Sequence, residues 1–138
     1  MSKKQELIEG LTEDLNLELE TLLRHIYHSS TATGLLGHEL REYVKKGTAA
    51  ELQHAIFLAD KITALGGELK FEVQMPRRLK STKEMLEAEV AAEKKLIENY
   101  AKRIEQAVEA GDKGLAIRLE GLLADETDDA EELQRLAR

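Results

Sequence analysis

The 138-residue sequence has no cysteine and no tryptophan, one proline, and only three tyrosines and two phenylalanines. Without cysteine, disulfides, iron–sulfur clusters, rubredoxin-type iron and thiol-ligated zinc are excluded, so any metal must be held by His, Asp or Glu. Long apolar runs are also missing. The longest, Ala55 to Ala59, is far short of a membrane span, and the N-terminal residues hold no apolar stretch of signal-peptide length. Positive charge is in deficit: the formal net charge is −7, and Lys3-Lys4 is too small a basic cluster to grip nucleic acid or an anionic membrane. A soluble, cytoplasmic protein with no nucleic-acid or membrane partner is expected.

What remains is rich in Ala, Leu, Glu and Lys, with charged residues at 34% and few β-branched residues, the composition of an all-α protein. The length suits one domain, residues 1–138, able to bury a core without staples. Apolar residues recurring at steps of three and four define four helices. The first is expected from near Lys3 to near Ser30, with an inward stripe of Ile8, Leu11, Leu15, Glu18, Leu22 and His25, a face widened by Leu19, Leu23 and Ile26, and Glu13, Glu20 and Arg24 toward solvent. The second is expected from about Gly37 to Leu65, with Leu40, Val44, Gly47, Glu51, His54, Leu58 and Ile62 inward. Ser81 and Glu84 form a capping box that opens the third, whose stripe reads Leu86, Val90, Glu93, Ile97, Tyr100, Ile104 and Ala107. Gly111-Asp112 is a stop followed by an N-cap, and the fourth carries Leu115, Leu119, Leu122, Glu126, Asp129, Leu133 and Leu136. Between Gly66 and Lys80 there is no helical period. Extended, that segment reaches roughly 50 Å, enough to run the length of helices about 45 Å long. It reads as a crossover that leaves the second and third helices parallel.

Each helix places one glutamate near the middle of its inward stripe: Glu18, Glu51, Glu93 and Glu126. Taken singly, an inward glutamate is equally the mark of a stripe misphased by one residue. Four at a common height are hard to explain that way. Glu51 and His54, three apart on one helix face, can hold the same metal ion, and Glu126 and Asp129 repeat the offset. Ionised carboxylates gathered in a bundle repel one another and lose hydration, at a cost of at least several kcal/mol each. Divalent cations remove that cost. A donor set of hard oxygens with one imidazole suits iron or manganese, with zinc also open.

From the Leu17-Glu18-Leu19-Glu20 region, through Glu51-Leu52-Gln53-His54, the Leu65-Gly66-Gly67-Glu68 helix end and Glu93, to Leu123-Ala124-Asp125-Glu126, the chain resembles ferritin-like proteins of the bacterioferritin type. The resemblance implies a ferritin-like antiparallel four-helix bundle with one long crossover between the second and third helices. It makes Glu18 and His54 terminal ligands of one iron, Glu93 a terminal ligand of the other, and Glu51 and Glu126 bridges. It further implies oxidation of ferrous iron by oxygen or peroxide, iron storage or detoxification, and a homo-oligomer of at least two chains contacting through the first two helices, with Leu23, Tyr27 and Phe57 covered.

Three departures qualify those expectations. Leu52 stands where bacterioferritins ligate haem through methionine, so no haem is expected. The sequence stops at Arg138, without the short fifth helix of ferritin cages, which argues against a large cage. Asp129 replaces the second histidine, so the second of two iron positions is expected to be weak or to have decayed. His25 falls where the family has a tyrosine beside the centre, and a supporting role there competes with that of a plain core histidine. A metal-binding or stress-associated oligomer without efficient turnover is the alternative function. A DNA-coating Dps-type assembly fits less well, because the charge is acidic and the ligand set is complete within one chain.

Overall fold

The computed structural model describes residues 1–138 and contains four helices: α1, Lys3–Thr31; α2, Gly34–Ala64; α3, Thr82–Glu109; and α4, Lys113–Leu136. Side-chain caps fix three of the starts. Ser2 Oγ accepts from Gln5 N at 3.1 Å, Ser81 Oγ from Glu84 N at 3.2 Å, and Asp112 Oδ1 from Leu115 N at 3.0 Å. The Ser81 box is displaced by one residue on its return side, since the Glu84 carboxylate accepts from Lys80 N at 3.2 Å. No helix is long and apolar enough to cross a membrane.

The turn between α1 and α2 is tighter than the sequence suggests. Only Ala32-Thr33 separates the helices, and α2 starts at Gly34 rather than Gly37. Gly34 has φ +77°, a left-handed conformation that glycine adopts without steric cost. Gly37 meets the turn closely, as a Cβ there would lie 2.8 Å from the Ala32 carbonyl carbon. Thr33 and Thr82 exchange hydrogen bonds of 3.2 and 3.0 Å, pinning this turn to the start of α3.

Helix directions follow from which residues meet. Glu18 pairs with Tyr100 and His28 with Glu89, so α1 and α3 are antiparallel. His54 pairs with Glu126 and Lys61 with Asp112, so α2 and α4 are antiparallel. With α1 and α2 joined by a short turn, α2 and α3 must run the same way, and the crossover between them travels the length of the bundle. It is the antiparallel four-helix bundle with one long crossover that the resemblance implied.

The apolar core comes in two parts. Leu7, Leu11, Leu15, Leu58, Ile62, Leu96 and Leu119 belong to one, and Leu40, Val44, Met85, Leu86 and Leu133 to the other. In α2, α3 and α4 the stripe glutamate lies between them along the sequence, and in α1 Glu18 follows Leu15 of the first part. In α1 and α3 the inward face keeps Leu11, Leu15, Glu18, His25, Leu86, Glu93, Tyr100 and Ala107 but departs from the expected one at several positions. Leu7, Leu96 and Arg103 are buried where Ile8, Ile97 and Ile104 were expected, Glu89 is buried beside a half-buried Val90, and Ile26 is 60% exposed.

Candidate metal centre

The helices bring the six side chains singled out in the sequence to one level: Glu18 from α1, Glu51 and His54 from α2, Glu93 from α3, Glu126 and Asp129 from α4. The four glutamates and His54 are buried, and Asp129 is half-buried. They form two overlapping groups. Ligand atoms of Glu18, Glu51, His54 and Glu126 lie within 4.8 Å of one another, and so do those of Glu51, Glu93, Glu126 and Asp129. Glu51 and Glu126 are common to both, the arrangement a pair of bridging carboxylates requires.

His54 points its Nδ1 into the first group, 3.0 Å from Glu126 Oε1, 3.7 Å from Glu18 Oε1 and 3.9 Å from Glu51 Oε2. Its Nε2 lies 3.1 Å from Oδ2 of the exposed Asp125, which orients the ring and leaves Nδ1 for the centre. The Tyr100 hydroxyl donates to Glu18 Oε1 at 2.7 Å, and the Tyr43 hydroxyl to the Asp129 backbone carbonyl at 3.1 Å.

Protein donors do not satisfy this layer. One buried oxygen on each of Glu18, Glu51, Glu93 and Glu126 has no hydrogen-bond partner. Burial, reinforced by the Glu126 and Asp129 carboxylates, pushes Glu93 up to about 11. Glu126 rises to about 9, chiefly through burial, with the neighbouring Glu93 opposing and the Glu18 charge adding to it. Burial, then Glu18, raises Glu51 still further. Glu18 goes the other way: burial would raise it, but its neighbours Glu51, His54 and Tyr100 outweigh that and hold it below the ordinary value. Burial works against a charged His54, yet Glu18 and Asp125 raise it overall. Burial and mutual repulsion thus favour protons on Glu51, Glu93 and Glu126 over charge.

Two other buried carboxylates show how the chain treats an acid that needs no cation from outside. Asp14 is fully buried against Arg103, whose Nε and Nη2 donate at 2.8 and 3.1 Å, and Asn99 donates at 3.1 Å. Glu89 is met by Arg24 Nε at 3.3 Å, His28 Nδ1 at 2.8 Å and His25 Nε2 at 3.3 Å. Burial would raise Glu89, but the two histidines and Arg24 pull it down to about 2. Arginine therefore serves the flanking acids, and none reaches the central five carboxylates. That contrast fits a centre built for divalent cations.

Reading apolar periodicity missed Asp14, His28, Glu89, Asn99 and Arg103. Arg24 and Glu20, expected toward solvent, are half-buried. The one available signal for Glu89 was its place a turn before Glu93 on the same helix face. Its partners, over sixty residues away, left no trace in local spacing.

A bundle with single glutamates from two helices, and a second ligand three residues after the glutamate on the other two, is laid out like the di-iron carboxylate proteins. The chain belongs to the ferritin-like family, whose model, described as a ferritin-like domain, matches residues 8–138. It is similar to a ferritin-like diiron-carboxylate protein of Bacillus anthracis, with 35% identity over 100% of both chains and a TM-score of 0.94. Dps from Bacillus brevis is 16% identical over 100% of this chain and 99% of that one, with a TM-score of 0.91. Mycobacterium tuberculosis bacterioferritin is 24% identical over 96% of this chain and 84% of that one, with a TM-score of 0.86. At the last two identities the likeness is one of fold. No curated protein sequence matches the chain.

Proposed function

We propose that the protein binds ferrous iron at two adjacent positions and oxidises it with oxygen or peroxide, serving iron storage or detoxification in the cytoplasm. The observation that carries this reading is the uncompensated central layer, with two four-ligand groups that share Glu51 and Glu126. In this reading Glu18 and His54 would hold one iron, Glu93 and Asp129 the other, and Glu51 and Glu126 would be shared between them. Two ferrous ions held together deliver two electrons to one oxidant. The residues supply the rest. Glu51, Glu93 and Glu126 release protons as iron arrives, Asp125 keeps His54 Nδ1 facing the centre, and Tyr100 fixes Glu18.

Anaerobic ferrous titration followed by air, read by absorbance, tests the proposal. Two irons per chain and oxygen-dependent oxidation are expected, and Glu51→Ala, which removes a shared ligand, should abolish at least the tighter position. Equal iron content in wild type and Glu51→Ala would sink it. A second reading, retention of iron, manganese or zinc without fast turnover, is favoured by the lack of an imidazole in the Glu93–Asp129 group. Two bound irons that stay ferrous in air would select it.

Assembly belongs to the same proposal. Ile26 on α1, Leu52 and Ile56 on α2, and Phe71 and Met75 on the crossover are 46 to 67% exposed. A second copy of the chain would cover these apolar groups, together with the half-buried Leu23, Tyr27 and Phe57. Sedimentation at micromolar concentration should give a dimer or a larger homo-oligomer, and a monomer would refute this part of the proposal.

A further inference from the structure

His25 is buried, and its Nδ1 has no hydrogen-bond partner. Its Nε2 lies 3.3 Å from Glu89 Oε1. A carboxylate oxygen and a bare ring nitrogen would repel at that distance, so Nε2 carries the proton, and in the neutral ring Nδ1 is a free acceptor. Glu89 is itself immobilised by Arg24 and His28, which makes it a fixed charge able to hold the tautomer.

The surroundings show which part of the molecule this ring serves. Glu89 is one turn before Glu93 on α3, and Gly47 is one turn before Glu51 on α2. A Cβ at Gly47 would lie 3.9 Å from His25 Cε1, the ring atom between the two nitrogens. Gly47 in turn lines a cavity of about 460 Å³ together with Tyr43, Ala50 and Asp129. The ring therefore stands on the side of the bundle where Gly47 adjoins Asp129. That side is where nitrogen is lacking, since the Glu51, Glu93, Glu126 and Asp129 group offers only oxygen. His25 is outside that group, so it acts at one remove.

We infer that His25 serves the Glu93–Asp129 metal position from α1, offering it an unprotonated Nδ1 as a hydrogen-bond acceptor, with Glu89 as the positioning residue that keeps Nδ1 bare. The inference rests on the metal-centre reading above. It gives the two metal positions matching supports: His54 lies between Asp125 and the first, and His25 lies between Glu89 and the second.

The test is imidazole nitrogen NMR on the unmodified metal-free protein titrated with zinc alone, alongside zinc affinities for wild type and Glu89→Gln. In the metal-free protein His25 should be protonated on Nε2 and bare on Nδ1. The first equivalent of zinc should move His54 Nδ1, and the second should move His25 Nδ1. Glu89→Gln should weaken the second zinc roughly tenfold, the usual scale for loss of a partner that orients a metal's surroundings, and leave the first unchanged. A proton on His25 Nδ1, or a His25 signal indifferent to the second equivalent, would overturn the inference. So would equal second affinities in wild type and Glu89→Gln. If Glu89→Gln does not fold, the spectra of the unmodified protein decide alone. Failure of the metal-centre reading looks different: no zinc binds and neither histidine moves.

Discussion

Asp14 and Asp129 are both inward aspartates, and what surrounds each decides what it does. Asp14 has its cation built in, and Gly10 exists to make room for it: a Cβ at Gly10 would fall 2.0 Å from Arg103 Nη1. Asp129 has no arginine, and burial raises its proton affinity, with Glu51 and His54 opposing. It is also shorter than an imidazole, so as a ligand it competes with protons and reaches less far. Replacing it by histidine would remove one negative charge and extend the donor toward the layer. The Tyr43 hydrogen bond would survive, because it goes to the backbone carbonyl. Asp129→His is therefore expected to tighten the weaker metal position and speed oxygen-dependent iron oxidation. Stoichiometry and an oxidation time course check this, and no change in either would show that the two positions are not limited by this ligand.

At the scale of elements, the crossover is the part of the fold whose backbone has no regular partner, and α1 supplies one. Asn16 Nδ2 donates to the Lys70 carbonyl at 3.0 Å, Asn16 Oδ1 accepts from Glu72 N at 2.8 Å, and Glu20 Oε2 accepts from Gln74 N at 3.1 Å. Residues 70, 72 and 74 thus turn the same edge of an extended segment toward α1, as a strand does toward a neighbour. Asn16→Ala leaves a carbonyl and an amide without partners, a loss of about 1–3 kcal/mol. Hydrogen exchange at the Glu72 amide should accelerate, and unchanged exchange would mean the crossover is held by its apolar contacts instead. Such pairings also mark the limit of what local sequence conveys. Ser81, Asp112 and the glycines announce where helices start and stop, and the central glutamates stand out because they break an apolar stripe. Most of the α1 and α3 stripes are buried as expected, but apolar periodicity favours Ile8, Val90, Ile97 and Ile104, which are only half-buried, over neighbours that turn inward. Glu89 and Arg103 are inward only because acids and bases on the opposite helix satisfy them. That information is nonlocal, as is the role of Asn16.

Across the whole molecule, the layer between the two apolar core clusters makes stability depend on protons or on metal, with opposite trends in pH. Glu93 at about 11 and Glu126 at about 9 lie above the ordinary glutamate value of 4.5. Each therefore favours the fold fully below that ordinary value, and its contribution is lost as the pH rises through the raised one. Glu89, held at about 2, has the reverse sign: its contribution is present above 4.5 and lost as the pH falls toward 2. The metal-free protein should then be most stable at mildly acidic pH and lose stability from about pH 5 to about pH 9. A divalent cation replaces the layer's protons, and its binding strengthens as they are released, so the loaded protein should gain relative stability across the same range. Thermal unfolding of the chelated and the zinc- or manganese-loaded protein at several pH values tests both trends, with proton release on loading as an independent measure. If the metal-free protein instead became more stable toward alkaline pH, or if loading changed neither its unfolding temperature nor the proton count, the central carboxylates would not be holding protons in place of metal.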